Sequence, residues 1–245
     1  MKLLTMAHAN AKTAKNGKDD RFHTAILHLA PYNKSGYQVC PAASNGCAMA
    51  CLNTAGRGRF DNVQQARTRK TKLFFQDREL FLTQLIDDIG LLTFQANKLD
   101  KIPVVRLNGT SDIDWENVLI DNFCNIFEYW PNVQFYDYTK RIDRLTKLVK
   151  NPYDNYHITF SNSENNDRVS RLALELGFNV AVVFRNELPE LYWGYPVVNG
   201  DDTDLRFIDN KNSIVGLKAK GDAKKDKSGF VKDAKKHGHN LALAV

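Results

Sequence analysis

Short apolar runs recur along the chain, and polar residues follow each of them. The first, FHTAILHLAPY (residues 22–32), ends near Pro31; the others are IPVVRL, VQFYDY, YHITFS, NVAVVF, YPVVNG and SIVGLKA. Between several of these runs the apolar positions have helical spacing, as in DRVSRLALELGF. Strands that alternate with helices are typical of parallel β/α units. The pattern therefore predicts an α/β fold with about seven parallel strands in a partial or closed (β/α) barrel, and a doubly wound sheet is the alternative.

Two further segments have helical spacing. The segment DNVQQARTRKTKLFFQDRELFLTQLIDDIGLL begins at Asp61, a suitable N-cap, and predicts one long helix or two consecutive helices. The segment IDNFCNIFEYW (residues 120–130) predicts another helix, with Cys124 as a buried structural thiol.

Length and composition indicate one domain of ordinary globular character. The chain has 245 residues, of which 43% are hydrophobic and 25% charged. We expect a single α/β domain over residues 1–245, with about 1–20 and 233–245 as loosely ordered termini. No apolar run approaches the ~20 residues that cross a bilayer, and MKLLTMAHANAKTAKNGKDD lacks the apolar stretch of a signal peptide. These features predict a cytoplasmic protein with no membrane partner, in which thiols stay reduced.

A modest basic surplus indicates anionic partners. The formal net charge is +6, and the basic residues concentrate in ARTRKTK (residues 66–72) and in the lysine-rich tail that starts at Lys218. Nucleic acid is one partner that these basic segments would suit. The alternative is that each charge run is only a solvated face.

Three of the four cysteines lie in one loop after the first predicted strand. Cys40, Cys47 and Cys51 have the spacing C-x6-C-x3-C, and no histidine occurs between His28 and His157. A structural zinc site requires four ligands, whereas cysteine thiolates hold [4Fe–4S] clusters, and three of them leave one iron open. We therefore interpret the loop as the ligand set of one [4Fe–4S] cluster. Zinc, or three reduced thiols without metal, are the alternatives.

Polar residues at the carboxyl ends of the predicted strands are candidate ligand-binding groups. In both α/β architectures, functional groups gather at those ends. An Asx-turn in NGTSD, an N-cap at Ser163 and an exposed loop lysine are the structural alternatives. The DDTD segment (residues 201–204) suits a divalent ion or an arginine. The candidates for binding a small molecule over the cluster are Asn108, Thr110, Ser111, Asp112, Lys140, Ser161, Ser163 and Glu164.

Several blocks of the sequence resemble a known phage family. The blocks CPAASNGCAMACLNTAGRG, VVRLNGTSDIDWE, FYDYTKR and IVGLKAKGDAKKDKSGFV are similar to the phage gene product 88 family, and the resemblance extends from about Asn10 to Val231. It implies a bacteriophage protein made in an infected bacterial host, and it assigns no reaction.

The predicted architecture also resembles the radical S-adenosylmethionine enzymes. In those TIM-barrel-like proteins, three cysteines after the first strand hold a [4Fe–4S] cluster, and S-adenosylmethionine binds the fourth iron. Their cysteine spacing is C-x3-C-x2-C, and NGTSD stands here where they carry a Gly-Gly-Glu motif.

Two functions follow from these observations. The first is an iron–sulfur protein that binds a small molecule at its cluster, as a radical S-adenosylmethionine-like enzyme does. The alternative is a non-catalytic iron–sulfur or zinc protein that binds nucleic acid or a host partner through the tail and through four basic residues, Arg67, Arg69, Lys70 and Lys72.

Overall fold

The structure, a computed structural model, describes residues 1–6 and 19–234. Its helices are α1 (Asn45–Met49), α2 (Asp61–Gln76), α3 (Arg78–Lys98), α4 (Ile126–Tyr129), α5 (Ile142–Lys150) and α6 (Asp167–Glu175). Its strands are β1 (Leu4–Met6), β2 (Phe22–Leu27), β3 (Ile102–Arg106), β4 (Leu119–Ile120), β5 (Cys124–Asn125), β6 (Gln134–Thr139), β7 (Tyr156–Ser161), β8 (Val180–Phe184), β9 (Leu191–Tyr192), β10 (Tyr195–Asn199), β11 (Ile214–Lys218) and β12 (Val231–Lys232).

One mostly parallel sheet organises the molecule. Its strand order is β1-β2-β3-β6-β7-β8-β11-β10-β9, and within the described residues this path does not close on itself. The strands from β2 to β10 in this order are mutually parallel, and each of the seven apolar runs forms one of them. The edge strands β1 and β9 are antiparallel to their neighbours. The predicted α/β class is thus confirmed, as a mixed α/β fold with an open, mostly parallel sheet.

Strand β12 occupies an unusual place in this sheet. β7 pairs with β8 only at the start of β8, through Phe160↔Val180 and Ser161↔Ala181. Beyond that point β12 takes the same side of β8, with Val231 opposite Val183. The last described segment of the chain therefore completes the carboxyl end of the sheet.

Helices cover one face of the sheet and bury most of the core. Around β2, β3 and β6, the helix α3 contributes Phe81, Leu85 and Ile89, all fully buried. Around β7 and β8, the helices α5 and α6 contribute Leu145 and Ala173. Burial of this apolar surface is the main stabilising term, at roughly 25 cal/mol for each Å² removed from water.

A long connection covers the opposite face, which we call the loop-covered face. Residues 200–213 run from β10 to β11, and Leu205 and Phe207 pack there against Val104 and Tyr136. Polar groups are paired beside this cluster, because an isolated buried charge is costly.

Asp204 makes the central polar contacts of the loop-covered face. Its carboxylate lies 3.0 Å from the guanidinium of Arg106, and both side chains are buried. The hydroxyl of Tyr136 donates to the same carboxylate at 2.8 Å. Two roles were considered for the DDTD segment, a divalent-ion site and an arginine partner. Asp204 has the second role, because it pairs with Arg106.

The segment from Asp61 forms two helices. α2 begins at Asp61 itself, after Phe60, so Asp61 is the first helical residue and not the N-cap. Asp77 separates the helices and caps α3, its carboxylate accepting from the N–H of Leu80 at 3.0 Å.

The helix predicted over residues 120–130 is wrong over most of its length. β4 and β5 form an antiparallel pair instead, and only Ile126–Tyr129 is helical. Asp121 and Asn122 both have left-handed backbone, with φ of 49° and 62°. Short polar residues tolerate this conformation, which lets the chain reverse within the three residues between Ile120 and Cys124, and the turn prevents the predicted helix.

The two predicted loose termini have different outcomes. Residues 7–18 and 235–245 lie outside the described residues. The first residues of the chain, in contrast, belong to the fold: Leu3 and Leu4 are buried, and β1 pairs with β2. The N–H groups of both leucines donate to the carboxylate of Asp88, at 2.6 and 2.8 Å.

Candidate metal centre

The three clustered cysteines lie at the carboxyl end of β2, as the sequence predicts. Cys40, Cys47 and Cys51 are free thiols and are partly buried. The loop that carries them contains the short helix α1, whose N-cap Ser44 accepts from the N–H of Cys47 at 3.2 Å. The thiols are close enough that the charge of one affects the pKa of another.

Cys40 is held between the start of its own loop and the turn after β3. The N–H of Tyr32 donates to Cys40 Sγ at 3.4 Å, and Sγ lies 3.8 Å from the carbonyl oxygen of Thr110. Burial raises the pKa of the Cys40 thiol to about 12; the N–H of Tyr32 opposes this shift, and the negative charge of Asp112 adds to it. The isolated thiol is therefore protonated at neutral pH.

Lys140, directly after β6, lies near Cys47 and interacts with it electrostatically. Burial alone would lower the pKa of Lys140. The negative charges of Cys47 and Asp112 reverse this effect and raise that pKa above its ordinary value. The carboxylate of Asp112 also accepts from the backbone N–H of Lys140 at 3.0 Å. Lys140 is thus fixed beside the thiols as a cation, and not as the freely exposed loop lysine of the alternative interpretation.

The backbone N–H of Asn53 lies beside Cys51. Burial raises the pKa of the Cys51 thiol, and this N–H opposes the shift. The positive charges of Lys34 and Lys140 also act on Cys51. A nitrogen donor therefore lies beside each of the three sulfurs: the N–H of Tyr32, the ammonium group of Lys140 and the N–H of Asn53.

The turn after β3 fastens the cysteine loop to the sheet. The hydroxyl of Thr110 donates to the carbonyl of Leu29 at 2.6 Å, and the N–H of Asp112 donates to Val39 at 2.8 Å. Gly109 allows this close approach, because a Cβ there would lie 2.6 Å from the carbonyl oxygen of Leu27.

Asn108 and Ser111 form the interior of the same turn. The side-chain oxygen of Asn108 accepts from Ser111 Oγ at 2.8 Å and from the N–H of Ile113 at 2.9 Å. Its Nδ2 donates to Ile113 and to Asp137, at 2.9 and 3.2 Å. The side chain therefore stabilises the turn itself, but not as the Asx-turn of the alternative interpretation, because its oxygen accepts from an N–H five residues on. Ligand binding by Asn108, Thr110, Ser111 and Asp112 stays a prediction, for groups that already have protein partners.

An arginine under the helices holds Asp112 in place. Arg144 of α5 is fully buried and lies 2.8 Å from Asp112, 2.9 Å from Glu116 and 2.7 Å from the hydroxyl of Tyr156. Asp112 thus connects Arg144 to the backbone of Lys140. The contacts position the ammonium group that faces Cys47.

Glu164, after β7, supports the cysteine loop from the other side. Its carboxylate accepts from Ser44 Oγ at 2.6 Å and from the N–H of Gly46 at 2.7 Å. Burial alone would raise the pKa of Glu164, but these hydrogen bonds lower it below its ordinary value. Glu164 therefore reaches the predicted site by binding the loop that carries the cysteines.

Ser161 and Ser163 lie farther from the thiols. The carbonyl of Ser161 accepts from Asn166, and that of Ser163 accepts from Lys232 at 3.3 Å. Ser163 does not cap the following helix, because α6 begins only at Asp167 with Asn166 as its N-cap. Contact of either serine with a ligand stays a prediction.

A cavity of about 420 Å³ opens beside Glu164 at the carboxyl ends of β7, β8 and β12. Charged side chains of both signs line it, among them Asp167, Arg185, Lys227 and Lys232. Asp167 and Lys232 pair across it at 2.8 Å. The cavity therefore offers partners to both a cationic and an anionic group of one ligand.

The remaining candidates have structural positions. Cys124 lies in β5 and packs against the helix-covered core, as its interpretation as a structural thiol expects. Among the four basic residues of α2, Arg67 donates to Asn53 and Lys70 is buried with its ammonium on the carbonyl of Leu3. Arg69 and Lys72 are exposed, so only part of this run faces solvent.

Sequence reasoning missed Tyr32, Asn53 and Arg185. Tyr32 has left-handed backbone with φ of 54°, which aims its N–H at Cys40, and no sequence signal marks such a conformation in a tyrosine. Asn53 acts on Cys51 through its main-chain N–H, which every residue type except proline carries, so its side chain gives no signal either. Arg185 follows the strand NVAVVF directly, so the rule that polar residues gather at strand ends would have identified it.

In the part of the chain that the structure describes, no group of three or more His, Cys, Asp or Glu side chains is arranged to hold a metal ion. The sequence profile of Gene product 88 matches residues 2–234. The chain belongs to the Gene product 88 family. No curated protein and no solved structure matches it. For this family member, no helix among the described residues is long and apolar enough to span a bilayer.

Proposed function

We propose that this phage protein binds one [4Fe–4S] cluster through Cys40, Cys47 and Cys51 and acts on a small molecule at the open iron. The observation that carries the proposal is that three thiols gathered in one loop each have a nitrogen donor beside them: the N–H of Tyr32 at Cys40, the ammonium group of Lys140 at Cys47 and the N–H of Asn53 at Cys51. Hydrogen bonds to the sulfurs are among the factors that set the reduction potential of an iron–sulfur cluster.

The donor set suits a cluster better than a single ion. In a cubane each cysteine binds a different iron, so the three sulfurs stand farther apart than the ligands of one zinc ion. The cations Lys34 and Lys140 would offset part of the negative charge of three thiolates.

The order of the strands favours a barrel-like arrangement similar to that of radical S-adenosylmethionine enzymes. From β2 to β8 the sheet order follows the chain order, as it does in a barrel, and it reverses only beyond β8, where β11 lies between β8 and β10. The cysteine loop follows the first of these parallel strands. When bound, a cluster with an open iron supplies one electron to a sulfonium ligand such as S-adenosylmethionine.

The protein's own groups would bind and orient such a ligand. The cavity beside Glu164 presents Arg185 and Lys232 to a carboxylate and Asp167 to an amino group. Lys140 would place its ammonium group beside the cluster, and the turn of residues 108–112 would keep the cysteine loop in place. The reaction would take place in the cytoplasm of an infected bacterial host.

The decisive test is anaerobic purification followed by iron and sulfide analysis of two matched variants. We expect about four irons per wild-type chain and none in Cys47→Ala. Cys124→Ala should keep the wild-type iron content, because Cys47 is a proposed ligand and Cys124 is not. Retention of iron and sulfide by Cys47→Ala would contradict the assignment, as would zinc in the wild-type protein.

Electron paramagnetic resonance of the reduced protein tests the small-molecule part. Addition of S-adenosylmethionine should change the spectrum if the ligand binds the open iron. An unchanged spectrum with four irons would retain the cluster and exclude this ligand. The protein would then be an iron–sulfur protein of another kind.

A further inference from the structure

Two segments distant in sequence meet beside the cysteines. Gly221, with φ of 55°, lies so close to the segment after Cys51 that an added Cβ would be 3.1 Å from the Cβ of Ala55. A small apolar cluster joins the same segments, in which Ala50 packs with Ala219, Ala223 and Phe230. Residues 52–60 and 218–227 therefore form one continuous surface around the thiols, which we call the basic rim.

The basic rim is strongly positive. Among the described residues, six of its seven exposed cations take part in no ion pair, and the seventh, Lys220, binds Asp201. The rim contains two acids, the exposed Asp222 and Asp226, whose carboxylate accepts from Ser228 and from the N–H of Val231. The six cations are Arg57, Arg59, Lys218, Lys224, Lys225 and Lys227.

The rim also exposes apolar side chains. Leu52 is 45% exposed and Phe60 52%, and Met49, just before the rim, is 75% exposed. The ring of Phe60 is therefore available for contact with a flat partner beside the cations. Cations interleaved with flat apolar groups are the features of surfaces that bind single-stranded nucleic acid, through phosphates and stacked bases.

We propose that the basic rim binds a single-stranded nucleic acid, with phosphates on the lysines and arginines and an unpaired base on Phe60. Lys227 belongs both to the rim and to the lining of the 420 Å³ cavity, so a bound strand passes the mouth of that cavity. The inference deepens the proposed function by naming the class of molecule brought to the cysteines. The binding itself requires the rim and not the metal.

The test measures fluorescence anisotropy of a labelled oligothymidine of about 20 nucleotides, at salt concentrations from about 50 to 200 mM. The variant Lys224→Gln/Lys225→Gln/Lys227→Gln removes three rim cations. Its matched control, Lys98→Gln/Lys150→Gln/Lys211→Gln, removes three exposed cations that precede β3, β7 and β11, at the opposite edge of the sheet. Both variants change the net charge equally.

We expect the rim variant to lower the slope of log affinity against log salt by about 2, since each phosphate contact to a single strand contributes about 0.7. The control should keep the wild-type slope. Equal losses in the two variants would overturn the proposal, because they would indicate only a general attraction by net charge. Absence of binding by the wild-type protein at about 50 mM salt would also overturn it.

A second variant tests the stacked base. Phe60→Ala should weaken oligothymidine binding roughly tenfold, because alanine substitution removes the stacking of a base. A duplex of the same length should bind less tightly than the single strand. Tighter binding of the duplex, or equal competition by polyglutamate, would overturn the proposal and indicate a duplex or an acidic protein.

The same preparations are analysed for iron and sulfide. If iron is absent but the rim variant still loses affinity, the proposed cluster fails and the nucleic-acid surface stands. If iron is present and the rim variant binds like the control, the surface fails and the cluster stands.

Discussion

The loop-covered face and the cysteine edge both hold buried polar groups, but they differ in how those groups are partnered. On the loop-covered face, Asp204 meets Arg106 at 3.0 Å and Tyr136 at 2.8 Å, and opposite charges neutralise each other. At the cysteine edge, a nitrogen donor lies beside each of the three thiols, and the one charged donor, Lys140, lies near the sulfur of Cys47.

This difference separates a structural network from a candidate site. A buried ion pair needs both of its members, and nothing else has to arrive. Thiols ligate a metal as thiolates, so the cluster that we propose would complete the second region. The two regions should therefore respond differently to substitution, the first through stability and the second through ligand binding.

The largest expected effect is on the loop-covered face. Asp204→Ala leaves the guanidinium of Arg106 buried without its partner, so we expect the free energy of unfolding to fall by about 3–5 kcal/mol. Urea denaturation measures this loss. The control is Asp143→Ala, whose side chain is 51% exposed in its pair with Arg141 and should contribute less than about 1 kcal/mol. Equal losses for the two variants would remove the contrast between the regions.

An intermediate effect concerns acid stability of the same face. Burial, with the charges of Arg206 and Lys211, lowers the pKa of His157 to about 4 from an ordinary value of 6.5. The unfolded chain then binds more protons between these values, so the contribution is present above pH 6.5 and is lost as the pH falls towards 4. His157→Gln should reduce the loss of unfolding free energy across this window by on the order of 2 kcal/mol. An identical pH dependence of the two proteins would contradict the burial of a neutral imidazole.

The smallest effect concerns the cysteine edge. Glu164→Gln removes the charge that accepts from Ser44 and Gly46, so we expect a stability loss of about 1 kcal/mol. Alkylation of Cys47 in the metal-free protein should become faster, because the loop is held less firmly. Glu187→Gln, an exposed glutamate after β8, is the control and should alter neither quantity. A faster reaction in both variants would show that position 164 has no special role.

Local patterns predicted the parallel strands and the grouping of the three cysteines. The strands follow from apolar runs of strand length, and the grouping from sequence proximity alone. Two consecutive helices from Asp61 were one of the two predicted outcomes. The hairpin of β4 and β5 was not predicted, because the apolar residues of this segment have helical spacing. The left-handed backbone of Asp121 and Asn122, which breaks the helix, is not visible in that spacing.

Contacts between distant residues escaped sequence reasoning. Arg106 and Asp204 are separated by 98 positions, and each belongs to an ordinary polar stretch. The basic run of α2 suggested a solvated face, yet Lys70 is directed inward to Leu3, 67 positions away. The strand-end candidates at residues 108–112 came together as expected, but the hydrogen bonds that occupy them depend on the carbonyls of Leu29 and Val39.

The position of β12 has a consequence for when the site can form. Ala50 and Cys47 pack against Phe230 and Val231, which are translated some 180 residues later. Contacts of such long sequence separation form late, because the loop between them must first be ordered. The ribosome therefore synthesises the chain as far as Val231 before the cysteine loop can make its contacts with Phe230 and Val231. Until then the thiols lack the cover that Phe230 and Val231 provide, and docking of the last described strand closes that interval.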